Sequence, residues 1–207
     1  METFIFQIIV LIFSVVIHEV SHGYVAEYLG DPTARLAGRL TLNPVKHLDL
    51  FGSFILPVSL WFLTGGAMVF GWAKPVPYNP YNLKDPIRGG AQIAAAGPLS
   101  NFLVAIIFAI AFRAAHTLAP ESLLLVLFAG IVQINILLAV FNLVPIPPLD
   151  GSKLLPAILP RSETSARIFG FLEQNGFILL LVFLFFGFEL IQPIIELLFR
   201  FLLFFPA

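Results

Sequence analysis

The sequence predicts an all-α, multi-pass membrane protein with about four to six transmembrane or re-entrant helices and a small membrane-associated β-hairpin. Three observations carry that expectation. Of 207 residues, 59% are hydrophobic and only 11% are charged, whereas a soluble domain carries about 25% charged residues. Mean hydropathy is +0.97. Several apolar stretches reach the ~18–20 residues that span a bilayer as helix. The net charge of −1, without a basic run, gives no reason to expect nucleic acid. The absence of cysteine excludes disulfides, thiolate zinc sites and a cysteine nucleophile.

The first helix is expected from about Phe4 to Leu29, stopped by Gly30-Asp31-Pro32. It lacks a basic leader and an A-x-A-like site, so a cleaved signal peptide is not expected. The alternation in ARLAGRLTLN, residues 34–43, suggests short strands. Residues 52–72 are apolar but broken by Pro57, Gly65 and Gly66. Residues 73–86 hold four prolines and exclude helix. Long helices are expected over about Ile87–Ala115 and Ser122–Val144, the second ending at PIPP. Residues 151–175 read as polar and loop-like, with room for a surface helix. The apolar stretch Gly176–Phe205 is interrupted by Pro193, which leaves open whether its end crosses, kinks or lies on the surface. No repeat or linker divides the chain, so it reads as one domain over 1–207, with a core at 4–160 and C-terminal membrane helices at 176–205.

Nine of the eleven Lys/Arg residues fall in three segments: Arg35, Arg39, Lys46; Lys74, Lys84, Arg88; and Lys153, Arg161, Arg167. The positive-inside rule makes these segments cytoplasmic and the protein a multi-pass component of the cell membrane. Both flanks of 52–72 then lie inside, so that segment is expected to re-enter rather than cross. Irregular backbone at membrane depth is tolerated only inside protein or beside a wet cavity.

His18-Glu19-Val20-Ser21-His22 is an H-E-x-x-H motif. On a helix, residues four apart share one face at about 6 Å, so both imidazoles can reach one zinc ion. Glu19, one residue round, can act on a zinc-bound water as general base. The motif also arises by chance, and a pore-lining or proton-relay cluster explains the same residues. Yet three ionisable groups in an apolar helix are costly, at about 2.5–3.5 kcal/mol each on insertion scales.

Zinc needs a third protein ligand. His116 falls at the far end of its helix. Asp150 is the best candidate, at the end of its helix that matches the histidines, where the prolines before it permit an unwound bend. Asp150-Gly151 also reads as an ordinary turn.

Together these residues resemble the site-2 protease family of intramembrane zinc metalloproteases, in a compact form without a PDZ or sensor domain. The matching pieces are His18-Glu19-x-x-His22, Gly97-Pro98-Leu99-Ser100-Asn101, and Asn142-x-x-Pro145-x-Pro147-x-Leu149-Asp150-Gly151, over roughly residues 10–160. The resemblance implies His18, His22 and Asp150 as ligands of Zn2+, Glu19 as general base, and Asn142 as a holder of substrate backbone or oxyanion. Asn101 is a weaker substrate-binding candidate, with an interhelical hydrogen bond as its other role. Residues 70–80 resemble the family's β-hairpin, an edge suited to strand addition. His47 and Asp49 are read as loop polarity, with approach to the site as the alternative.

The expected activity is hydrolysis of a peptide bond in or near a transmembrane segment, as in regulated intramembrane proteolysis, with the site toward the cytoplasm. Expected partners are a single-span membrane protein substrate and the lipid bilayer; a homo-oligomer is compatible with the sequence. The alternative is a membrane metal-ion or proton transporter using the same His/Glu/Asp cluster. An inactive scaffold and a zinc protease cutting soluble or lipidated chains are further readings.

Overall fold

The computed structural model describes residues 2–65 and 71–204. Its principal helices are α1 (Glu2–Tyr28), α2 (Thr33–Leu36), α3 (Leu56–Leu63), α4 (Pro86–Leu118), α5 (Leu123–Asn142), α6 (Asp150–Ile158), α7 (Glu163–Val182) and α8 (Phe188–Phe204). A π-helical turn, Phe183–Gly187, joins α7 to α8. Among the described residues, four runs are long and apolar enough to cross a membrane: Phe4–Tyr28, Pro86–Leu118, Leu123–Asn142 and Glu163–Phe204.

Local chemistry sets the helix ends. Gly30, at φ 104°, takes the left-handed conformation that closes α1. Asp85 accepts from the backbone N–H groups of Ile87 and Arg88, and Pro86 supplies the preset φ of a first helical residue. Ser122 and Ser162 cap α5 and α7 in the same way. Pro98, Pro156 and Pro193 are all carried inside helices. Packing against neighbouring helices compensates for the lost N–H groups in membrane bundles.

α4 lies at the centre and packs on α1, α5, α6 and α8. The main core joins Ala105, Ala109 and Phe112 of α4 to Val132 and Ile136 of α5 and to Ile191 and Ile195 of α8. The alanines let α4 and α5 approach closely, as small residues do in membrane interfaces.

Several expectations change. Thr33–Leu36 is helical where short strands were expected, because Asp31 Oδ1 accepts from Thr33 N and Oγ1 and starts a helix after Pro32. Residues 151–175 are largely helical, divided between α6 and α7. Pro193 does not end the last helix, which runs on to Phe204; Phe205 is outside the described residues.

Among the described residues there is no β-strand, so the hairpin at 70–80 is not borne out; Phe70 itself lies outside them. Pro75, Pro77 and Pro80 remove ladder donors. The N–H groups of Trp72 and Lys74 go instead to the carbonyls of Gly52 and His47, at 3.1 and 2.8 Å. The same contact shows how 52–72 is arranged. Its first and last residues meet, because Ser53 Oγ also donates to Trp72 O at 2.9 Å. The segment therefore leaves and returns at one place, with the short apolar α3 between.

Candidate metal centre

Ser14, His18 and His22 stand four residues apart and form one stripe on α1, buried against α4 and α5. The two imidazoles lie edge to face with centroids 4.6 Å apart. Asp150 arrives from the opposite side of the sequence. After α5 the chain turns at Leu143–Leu149 and enters α6 with Asp150 as its first residue. Gly151 makes this turn possible: a Cβ there would sit 2.1 Å from Leu143 O. Asp150 Oδ2 lies 3.0 Å from His18 Nε2 and 3.1 Å from His22 Nε2. The three ligand atoms fall within 4.8 Å of one another.

Neighbouring polar groups decide what these atoms can do. His22 Nδ1 lies 2.6 Å from the carbonyl of Ile93, which only accepts, so this nitrogen carries the proton. His18 Nδ1 lies 2.6 Å from Asn101 Oδ1. Asn101 Nδ2 donates to Ser14 O and Asn135 Oδ1, at 3.2 and 2.9 Å, which fixes Oδ1 as the acceptor end. Asn135 Nδ2 donates in turn to Ser14 Oγ at 2.9 Å. With Nδ1 of each ring engaged by an acceptor, each Nε2 is left to face Asp150 Oδ2. Two ring nitrogens and a carboxylate oxygen face one another, an arrangement that a divalent cation can share. The donor set, two imidazoles and one carboxylate, suits zinc.

Gly97 of α4 presses on this cluster. A Cβ there would lie 2.4 Å from His18 Nε2 and 2.6 Å from His22 Cε1. Asp150 Oδ1, turned away from the rings, is 3.8 Å from Lys153 Nζ. Glu19 is half-buried, and its Oε2 accepts from Val76 N at 2.8 Å. Arg39 holds the chain that carries Val76. Its guanidinium donates to the carbonyls of Lys46, Lys74 and Pro75, the last two at 2.6 and 3.2 Å.

None of the other candidates is among the three clustered ligand residues. Asn142 ends α5, and its Nδ2 donates back to Leu138 O at 2.9 Å. Asn101 is fully buried, with its polar atoms taken by His18, Ser14 and Asn135. His47 Nε2 donates to Thr41 O, and Asp49 Oδ2 accepts from Gly52 N, so both serve the 41–53 turn. His116 stacks on Phe112 near the end of α4. Sequence reasoning passed over Ser14, Asn135, Arg39 and Val76. The only signal for Asn135 was an amide in a 20-residue apolar helix, and Arg39 was read as an orienting surface charge.

A His-His-Asp cluster beside a carboxylate, set among helices long and apolar enough to cross a bilayer, defines a membrane zinc metalloprotease. The chain belongs to Peptidase family M50, whose model matches residues 6–119 and 114–183. YwhC of Bacillus subtilis is 38% identical over 177 residues, covering 81% of this chain and 77% of that protein. Rip2 of Mycolicibacterium smegmatis is 31% identical over 186 residues, covering 87% and 67%. MJ0392 of Methanocaldococcus jannaschii is 26% identical over 206 residues, covering 91% of this chain and half of that one. The names of all three contain the words zinc metalloprotease. No solved structure gives a significant match.

Proposed function

We propose that this zinc metalloprotease cuts a peptide bond in or near the transmembrane segment of a single-span membrane protein, from a site open to the cytoplasmic side of the cell membrane, in regulated intramembrane proteolysis. The observation that supports this most is the convergence of His18, His22 and Asp150 within 4.8 Å inside apolar helices. The match to a peptidase family favours this reading over a transporter.

His18, His22 and Asp150 are the zinc ligands. Zinc held there supplies Lewis acidity to a water and to the scissile carbonyl. Glu19 takes a proton from the attacking water and delivers it to the leaving amine. The Val76 N–H steadies one Glu19 oxygen and leaves the other for that proton. Asn142, at the mouth of the turn that carries Asp150, donates to substrate backbone or to the developing oxyanion once its amide leaves Leu138 O. A substrate helix has its amides paired and must unwind before attack. The extended chain at 71–79, beside Glu19, is the surface for the unwound strand.

The experiment is co-expression with a tagged single-span substrate. Glu19→Ala should keep zinc and abolish the shorter product. Equal cleavage by Glu19→Ala and the parent would reject the mechanism. Cleavage confined to soluble chains would reject the substrate class.

A further inference from the structure

The buried face of α5 carries one amide, Asn135, among Val132, Ile136, Ala139 and Val140. It is 0% exposed. An amide in such a place is costly unless its polar atoms are paired. Here both N–H groups and the carbonyl are used. Nδ2 donates to Ile131 O and to Ser14 Oγ, each at 2.9 Å, and Oδ1 accepts from Asn101 Nδ2 at 2.9 Å. Asn101 of α4, also 0% exposed, donates its other N–H to Ser14 O at 3.2 Å and sets its Oδ1 2.6 Å from His18 Nδ1.

Two main-chain carbonyls fix the sense of this chain, because a carbonyl only accepts. Ile131 O holds Asn135 Nδ2 and so turns Asn135 Oδ1 to Asn101. Ser14 O holds Asn101 Nδ2 and so turns Asn101 Oδ1 to His18. Turning Asn135 over would set its oxygen on Ile131 O and its nitrogen on Asn101 Nδ2. Turning Asn101 over would set its oxygen on Ser14 O and Asn135 Oδ1. Helix packing needs no such polarity, since α4 and α5 already meet through Ala105, Ala109, Val132 and Ile136. The bonds run in one direction, from α5 through α4 to α1, and end on a ring of the metal cluster. His22 stands outside them, with its Nδ1 on Ile93 O.

We infer that Asn135 is a positioning residue for the metal centre: through Asn101 it holds the His18 ring with Nδ1 as donor and Nε2 toward Asp150. A ligating imidazole keeps its proton on the nitrogen away from the metal, and the partner of that nitrogen sets the ring's orientation. Asn135 secures that partner from the far side. The inference rests on His18 being a zinc ligand, which His18→Ala tests separately by loss of bound zinc.

The experiment is NMR of zinc-saturated protein in detergent, labelled with nitrogen-15 histidine, beside a zinc titration against a chelator. Asn135→Leu should shift or broaden the Nδ1–H signal of His18 and leave that of His22 in place. It should raise the zinc dissociation constant about 10-fold, the lower end for outer partners of a metal ligand. Asn135→Asp, whose carboxyl accepts from Asn101 in either protonation state, should restore both. An unmoved His18 signal in Asn135→Leu, an equal disturbance of His18 and His22, or no recovery in Asn135→Asp would overturn the inference. If His18→Ala loses its zinc, any of these results leaves the proteolytic reading standing. If His18→Ala keeps its zinc, the inference and that ligand set fall together.

Discussion

Replacing Gly97 by alanine tests the packing that brings the two histidines together. The added Cβ would stand 2.4 Å from His18 Nε2, 2.5 Å from His18 Cε1 and 2.6 Å from His22 Cε1, where ordinary contact begins at 3.4 Å. Relief requires the rings, or the whole α1–α4 contact, to move by about 1 Å, several times the ~0.2 Å tolerance of metal–ligand distances. Displacements of that size at a reacting centre cost on the order of 100-fold in rate. Gly97→Ala should therefore lose most of its zinc, measured by plasma mass spectrometry on detergent-purified protein, and cleave its substrate about 100-fold more slowly. Gly130→Ala is the control. It makes the same change on α5, where the nearest atom is Phe6 Cε1 at 3.7 Å. It should keep full zinc and activity. If Gly97→Ala binds one zinc per chain and cuts like the parent, the close approach of α4 to the histidines is not what forms the site.

Other expectations follow from the supports of the site. Asn101→Leu removes the acceptor that orients His18 and should weaken zinc affinity about 10–100-fold, read by competition with a chelator. Arg39→Ala frees the carbonyls of Lys74 and Pro75, and with them the N–H that holds Glu19. It should lower turnover while zinc content stays at the parent level. Asp31 accepts from Thr33, Asn79 N and Asn82 Nδ2 and ties the end of α1 to 79–82. Burial raises its carboxyl, but these hydrogen bonds prevail and leave it below the ordinary 3.8. Its contribution is therefore full above about pH 4 and fades as pH falls through the lowered value. Asp31→Asn should cost about 2 kcal/mol, seen as a lower Tm at pH 7, and that gap should close as acid is added.

How much was legible in the sequence depended on how far each partner lay along the chain. His18, Glu19 and His22 are within one helical turn, and their setting in apolar residues marked them. Asp150 is 132 residues from His18, yet its place at the matching end of its helix and the proline-rich turn before it singled it out, while Gly151 after it pointed to an ordinary turn. The helices of the core were legible from length and hydropathy, and Pro86–Leu118 differs from expectation by a few residues. What stayed hidden were roles set only by three-dimensional neighbours. Nothing local links Asn135 to Ser14 across 121 residues, or Val76 N to Glu19 across 57. The alternation in ARLAGRLTLN misled because the turn that Asp31 makes with Thr33 N and Oγ1 outweighs a two-residue period in so short a segment. The prolines at 75, 77 and 80 kept the segment free of α-helix, though a 3-10 turn forms at Pro80–Asn82, and they also denied it a ladder.

The central claim is that two imidazoles and the Asp150 carboxylate share one zinc ion. X-ray absorption at the zinc edge of the purified protein tests it most directly. The account predicts a first shell of nitrogen and oxygen at about 2.0–2.2 Å, with outer-shell scattering from two imidazoles, and loss of bound zinc in Asp150→Ala. A shell with one imidazole or none, or an unchanged spectrum and zinc content in Asp150→Ala, would contradict it.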